Sequence, residues 1–349
     1  MTNYTISLLT EQDIAEYKRF ITEHPAALYE HSLEVKDLIA SHFKFKPFYI
    51  LAKKGEKIVG ALPLFEANSI IEGRRFVSIP FFPFGGVIGE NSECQRQLLT
   101  KAQELSAGGR FLEIRQREEL PAGIADDFVK QSPITDFIFH FKKTEEETFH
   151  SLDKRVRYDI NKARKNGLSV KLGKSKEMVA DFYKVYLYTK KKRGVPAWPY
   201  QLFVDALETC AAFVGVTYLE QKPIAAAFFF THRLEIEYGF AGADYRYTSL
   251  CPYYLLLWEV IRYGIKNGYS TLDFGGTTKE LNDGYLYAFK ERWCKEKREI
   301  PYYFYAREKK NIPELKRSFG LYRLYGMVWR MLPIWLIKKI SPFVMRQFV

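Results

Sequence analysis

The stretch from Leu272 to Trp293, "LDFGGTTKELNDGYLYAFKERW", sets an aspartate, adjacent glycines and threonines directly after a short apolar run, and a lysine further on. Three chemistries are open to it: a phosphate cradle, a loop that shapes an active site, or a plain turn between strand and helix. The P-loop needs a Lys and a Ser or Thr after the second glycine of its G-x-x-x-x-G spacing, and "GGTTKELNDG" has neither. The dinucleotide fingerprint G-x-G-x-x-G opening a long helix is also absent. What remains is a strand ending at Asp273, a loop through Thr278 and a short helix from about Asp283. On that helix Leu286, Phe289 and Trp293 form an apolar face, with Asp283, Tyr287 and Lys290 clustered beside it. Lys290 is then expected at the edge of buried surface. An ammonium there neutralises a phosphate or an oxyanion strongly, because the local dielectric is below that of water. A surface lysine laying its stem over apolar area would show the same pattern. Asp273, at a strand end beside glycines, suits a proton acceptor or a group that orients substrate. It suits a cap for the following loop equally well.

A second candidate is the helix in "KKTEEETFHSLDKRVRYDINKARKNGLSVKL". Phe149, Leu152, Val156, Ile160 and Ala163 share one face, and Gly167 ends the helix before the strand "LSVKL". Arg157 and Arg164 share a shoulder beside that stripe, while Lys154, Arg155, Lys162 and Lys165 lie farther round. A solvated basic face and a phosphate-binding shoulder are both consistent with this. Arginine's planar fork favours the second.

Other chemistries find little footing. No Ser-His-Asp or Cys-His arrangement is visible in the spacing. Cys94, Cys210, Cys251 and Cys294 lie far apart without a C-x-x-C pair, and the histidines form no H-E-x-x-H. No structural metal and a reducing, cytoplasmic setting are therefore expected.

The elements that must position these residues occur twice. "FYILAKKGEKIVGALPLFE" and "FVGVTYLEQKPIAAAFFFTH" each read as a hairpin, followed by the strands "RFVSIPF" and "LEIEYGFAG". Each copy continues with a helix closed by glycine, "ECQRQLLTKAQELSAGG" and "CPYYLLLWEVIRYGIKNG", and then a strand, "RFLEIR" and "YSTLDFG". Repetition of this order predicts a duplicated α/β unit with a mainly antiparallel mixed sheet and helices on its faces. We place the domains at 1–143 and 144–310, with a basic, apolar helical tail over 311–349.

The chain of 349 residues is 47% hydrophobic and carries a formal charge of +12, which excludes a disordered chain and favours an anionic partner. The first residues contain acids where a secretory signal needs an apolar run, and no run approaches the roughly 20 residues that span a bilayer. The tail has no acid after Glu314 and mixes Lys316, Arg317, Arg323, Arg330, Lys338, Lys339 and Arg346 with large apolar residues. It suits either a helix at an anionic membrane surface or terminal helices packed on the body. No helix-turn-helix, zinc finger or RNA-stacking motif accompanies the charge, so sequence-specific DNA is not an expected partner.

"YSTLDFGGTTKELNDGYLYAFKERW", "PYYLLLWEVIRYGIKNG" and "LDKRVRYDINKARKNGLSV" followed by "FYKVYLYTKKKRGVP" resemble the second domain of the FemABX-like acyltransferases, a branch of the GNAT superfamily. "IVGALPLFE" and "RRFVSIPFFPFGG" resemble the first domain, and the likeness runs from about Phe48 to Tyr305. It implies tandem GNAT-like domains and an acyl or aminoacyl transfer to an amine of a cell-envelope precursor, a peptidoglycan peptide or a surface glycan. No permanently bound cofactor is implied; the donor is aminoacyl-tRNA or acyl-CoA. Carried over from the family, Lys290 after Phe289 binds substrate and stabilises the transition state, Arg157 meets substrate phosphate, and Tyr254 lines the site. Arg164 and Tyr287 join them as candidate binding residues.

Two departures bear on the donor. "GADYRYTSLCPYY" lacks the glycines with which GNAT enzymes cradle the CoA pyrophosphate at a helix N-terminus, and the helical hairpin often inserted in tRNA-using members has no counterpart. The alternatives are a CoA-dependent N-acyltransferase acting on an amino sugar for exopolysaccharide or lipopolysaccharide, and a non-catalytic envelope assembly protein at the inner face of the cytoplasmic membrane.

Overall fold

The structure, a computed structural model, describes residues 4–279, 284–313 and 319–347, with the backbone alone for 319–324. Asp283, Lys316 and Arg317 lie outside the described residues, as does the side chain of Arg323. The chain divides into two compact units, Met1–Ile134 with Glu299–Ser318 and Phe343–Val349, and Thr135–Arg298 with Phe319–Pro342.

In the first unit β1 (Thr5–Leu8) and the helices α1 (Ile14–Glu23) and α2 (Leu33–Phe43) precede the expected hairpin of β2 (Lys46–Lys54) and β3 (Lys57–Ser69). β4 (Gly73–Val77), β5 (Ile88–Gly89), α3 (Ser92–Leu105) and β6 (Leu112–Arg115) follow. The strands lie in the order β1-β2-β3-β4-β6, antiparallel except for the parallel β4–β6 pair, and β5 adds to β3. Ile50, Leu62 and Leu64 of the hairpin meet Leu98 and Leu99 of α3, removing both apolar faces from water.

The strand β7 (Val129–His140) comes next, and its residues from Thr135 belong to the second unit. α4 (Glu145–Ser151), α5 (Lys154–Lys165), β8 (Leu168–Gly173), α6 (Lys176–Arg193) and α7 (Tyr200–Thr209) lead to the second hairpin, β9 (Ala212–Leu219) and β10 (Lys222–His232). Then come β11 (Glu235–Ala243), α8 (Pro252–Lys266), β12 (Thr271–Asp273), α9 (Tyr285–Trp293) and β13 (Glu296–Tyr305), with α10 (Phe319–Met331) and α11 (Ile334–Met345) in the tail. The sheet order is β8-β9-β10-β11-β12-β7, and β11–β12 is the parallel pair, matching β4–β6.

The last strand of each repeat is exchanged. β7 follows β6 in the chain yet pairs antiparallel with β12, while Tyr302–Tyr305 of β13 pair antiparallel with β6. The units therefore divide after Ile134 and Arg298 rather than at the expected 143/144 and 310/311. The tail is likewise no separate zone, since Phe319–Pro342 join the second unit and Phe343–Val349 the first.

The basic helix also differs from expectation. Leu152 takes an extended conformation (ψ 151°), and the stripe from Phe149 to Ala163 is split between α4 and α5. Asp153 accepts from Arg155 N at 2.7 Å and starts α5, so the cap outweighs the continuous periodicity.

Helices cover both faces of the second sheet. Phe229 points to the core formed with α8, whereas Phe228 packs on Phe182 of α6 and Phe203 of α7, as the two-residue strand period requires. The backbones of α6 and β11 meet at Gly242, where an added Cβ would lie 2.5 Å from Tyr186 Cα and 2.6 Å from Tyr186 N.

Candidate active site

The second sheet opens where the chemistry-bearing residues lie. β11 pairs with β12 only from Glu235 to Glu237, opposite Thr271–Asp273, although β11 runs on to Ala243. Past Asp273 the chain stays with β7: Phe274 N donates to Phe137 O at 2.8 Å, and Thr277 and Thr135 exchange backbone bonds at 2.9 Å. A bulge between Phe228 and Phe229 shifts the register at Gly239 and sets Tyr238 on the same face as Phe229 and Phe274.

The loop after β12 is shaped from both sides. Asp273, fully buried, accepts from Gly275 N at 2.6 Å, so its carboxylate caps the loop, one of the two roles the sequence left open. Gly275 has φ +70°, which a side chain rarely tolerates. The turn points the Gly275 and Gly276 carbonyls at Lys290 Nζ, 2.8 and 3.3 Å away. The side-chain hydroxyl of Thr277 on the same loop is buried without a hydrogen-bond partner among the described residues.

Lys290 is only 5% exposed, so it lies inside rather than at the rim that helical spacing suggested. Burial pushes its ammonium down to about 8 from the usual 10.5, opposed by the nearby carboxylates of Asp136 and Asp273. Two of its three donors face the loop carbonyls, which leaves capacity for one more acceptor. Asp136, buried in β7, escaped the sequence reading. Its signal was an acid inside the apolar run "ITDFIFHF".

Arg193 was missed as well. It ends α6, and its positive field reaches Lys290. Burial works against its charge, while Tyr245, Tyr253 and Tyr238 hold it above the usual value. Its Nε donates to the Tyr245 hydroxyl at 3.2 Å. One turn back, Lys190 lies 5.1 Å from the Tyr186 ring centroid, and burial pushes it down to about 8, with Arg193 adding to the shift. Neither cation has a carboxylate partner among the described residues. Arg193 is exposed and Lys190 half-buried, and two cations without such a carboxylate beside them make this end of α6 a candidate anchor for an anion. The run "KKKRG" ahead of a helix-ending glycine was the available signal.

The remaining candidates separate. Tyr254 packs edge-on against Phe289, with centroids 5.3 Å apart, and stacks on Trp293 at 5.9 Å, so these three make one aromatic wall between α8 and α9. Tyr287 faces the other way, edge-on to Phe137 at 5.0 Å, with Lys279 over its ring. Arg157 keeps a buried Nε without a hydrogen-bond partner among the described residues. Arg164 is instead paired with Glu259 of α8 at 3.5 Å, which ties α5 to α8.

The start of α8, where a CoA pyrophosphate would rest in a GNAT enzyme, is poorly suited to it. Pro252 at the first position has no N–H to offer. Cys251 Sγ lies 3.5 Å from the buried Asp159 carboxylate, and burial followed by that charge pushes the thiol up to about 11. The same carboxylate is paired with Arg155 at 3.2 Å, so the missing N–H of Pro252 is what counts against a pyrophosphate here.

Residues 150–291 match the family model described as the acetyltransferase (GNAT) domain. Among solved structures, FemX is similar at a TM-score of 0.67 and 14% identity, over 92% of this chain and 100% of that one. L-PGS from Bacillus licheniformis is similar at 0.57 and 12%, over 84% of this chain and 96% of that one. A tandem GNAT protein from the clavulanic acid biosynthesis pathway gives 0.52 and 10%, over 89% of this chain and all 100% of the other. No curated protein sequence matches the chain.

Proposed function

We propose that this chain, a FemABX-like acyltransferase with a GNAT domain over residues 150–291, forms an amide on an amine-bearing cell-envelope precursor and takes its acyl group from aminoacyl-tRNA. The observation that carries the reading is the buried Lys290 held on the Gly275 and Gly276 carbonyls beside Asp273, at the place where β11 and β12 part. The precursor's free amine attacks the ester carbonyl, and the Lys290 ammonium donates to the oxygen that gains charge. As the tetrahedral intermediate collapses, the C–O bond to the donor breaks. The amine's proton leaves to the departing ribose oxygen, directly or through water. Asp273 orients the loop that carries the lysine's acceptors and is a positioning residue.

Arg157 and Arg193 serve as anchors for acceptor phosphate or carboxylate. An anchor that binds ground state and transition state alike raises KM and leaves kcat nearly unchanged when removed. Arg193→Ala is thus expected to raise the acceptor KM roughly tenfold. A fall in kcat with unchanged KM would move Arg193 out of this role.

The donor is tested by supplying labelled aminoacyl-tRNA or acetyl-CoA to the purified chain with an amine-bearing nucleotide-linked muropeptide or an amino sugar. Transfer from tRNA to the muropeptide supports the reading. Transfer from acetyl-CoA alone, with saturable CoA binding, overturns the tRNA assignment and selects the amino-sugar N-acyltransferase. The start of α8 argues against that outcome. We assign the reaction to the cytoplasm, at the inner face of the membrane where envelope precursors are assembled.

A further inference from the structure

The tail helices have one side against the second unit and one side bare. Trp329 and Ile337 are buried, and the Ser341 hydroxyl accepts from Ala197 N at 3.1 Å. Gly326 lies against the Gly194 backbone at the end of α6. The other side presents Met327, Val328, Met331, Ile334 and Trp335, with Met331 84% and Trp335 67% exposed. Met327, Val328 and Met331 share a face of α10 by their three- and four-residue spacing, and Ile334 and Trp335 open α11 directly beyond Pro333. Beside them a cavity of about 490 Å³ runs between α6, α7 and α11, walled by Tyr183, Leu187, Pro199 and Tyr200 and flanked by Lys184 and Lys338.

We infer that this face docks on the surface of an anionic phospholipid bilayer. Trp335, Met331, Val328 and Met327 enter at headgroup depth, and Lys184, Lys338, Lys339 and Arg330 meet lipid phosphate. Charge decides the occupant. None of these cations has a carboxylate within ion-pair distance among the described residues, and no Asp or Glu follows Glu314 in the chain. A second copy of the same face would bring these cations together unneutralised. A nucleic acid would leave Met331, Val328 and Ile334 without a base-stacking role. No helix of the described residues is long and apolar enough to cross a membrane, so the contact is peripheral. The inference deepens the localisation part of the functional reading and does not depend on the donor or the acceptor.

The five tryptophans provide a direct test. Trp198, Trp258, Trp293 and Trp329 are buried and Trp335 is exposed, so emission that responds to vesicles reports this face. The full chain is mixed with phosphatidylcholine vesicles with and without phosphatidylglycerol, then sedimented. Binding only to the anionic vesicles is expected, with a blue shift that Trp335→Phe removes. The pair Met331→Ser and Trp335→Ser should weaken partition roughly tenfold or more. The pair Lys338→Gln and Lys339→Gln should weaken it roughly tenfold, an effect that fades at high salt. Unchanged thermal unfolding and unchanged transfer to a soluble acceptor keep a loss of vesicle binding distinct from misfolding or a wrong reaction. Absence of vesicle binding, equal binding by the Met331/Trp335 variant, or a vesicle-free dimer that this variant dissolves would each overturn the inference.

Discussion

Lys290→Ala is expected to lower kcat about 10²–10³-fold while the chain stays folded. The size follows from removing one pre-positioned donor to a developing oxyanion in a water-poor site. The fold should survive because the wild-type lysine is itself a burden. Holding a buried ammonium at about 8 instead of 10.5 costs about 3 kcal/mol of native stability. The sign is fixed by linkage: the folded value lies below the unfolded one, so the burden is full below about 8 and is relieved as pH rises from about 8 to 10.5. Lys290→Met, which keeps the apolar stem, should therefore unfold no earlier than wild type near pH 7. Catalysis runs the opposite way. Transfer that needs the charged ammonium should fall as pH rises through about 8, and a Lys190→Arg background removes the other lysine that titrates there. Single-turnover rates across pH, with thermal unfolding alongside, check both halves. A Lys290→Ala variant with wild-type kcat would rule the lysine out of the chemistry.

Gly242→Ala should be among the most destabilising single-methyl additions in the second unit. The new Cβ would meet the Tyr186 backbone at 2.5–2.6 Å, and neither α6 nor β11 can move without shifting its whole length. We expect a loss of about 3 kcal/mol, near the upper end for overpacking, which lowers the unfolding midpoint by about 6–12 °C. The same displacement reaches the site, because α6 ends at Arg193. Where the variant is still folded, the acceptor KM should rise as it does in Arg193→Ala. An unchanged midpoint by calorimetry would show that α6 does not rest on the β11 backbone.

The placement of several candidate residues could be read from the sequence. Asp273 at a strand end, the glycine loop and Lys290 on a short helix all stand where the sequence placed them, because capping, turn chemistry and periodicity act over a few residues. Lys290's depth was misjudged for the same reason. Helical spacing put Leu286, Phe289 and Trp293 on the covered face, yet Tyr287 and Lys290 are buried with Trp293 while Leu286 and Phe289 are half-buried, because elements distant in the chain decide which face of α9 is covered. Asp136 and Arg193 were passed over because each looks ordinary in its own segment, a lone acid in a strand and one base among several. Their proximity to Lys290 comes from elements far apart in the chain.

The sequence by itself determined the duplicated α/β unit, the hairpins and the helix ends at glycine, since each follows from short-range pattern, and the resemblance of its motifs added the tandem GNAT-like fold. The tertiary structure alone decided which strand completes which sheet, which side of the tail stays bare and which charges share a field with Lys290. Backbone hydrogen bonds carry no address. A strand such as β7 or β13 can pair with any edge that presents free N–H and C=O groups, and side-chain packing summed over the whole chain selects the partner.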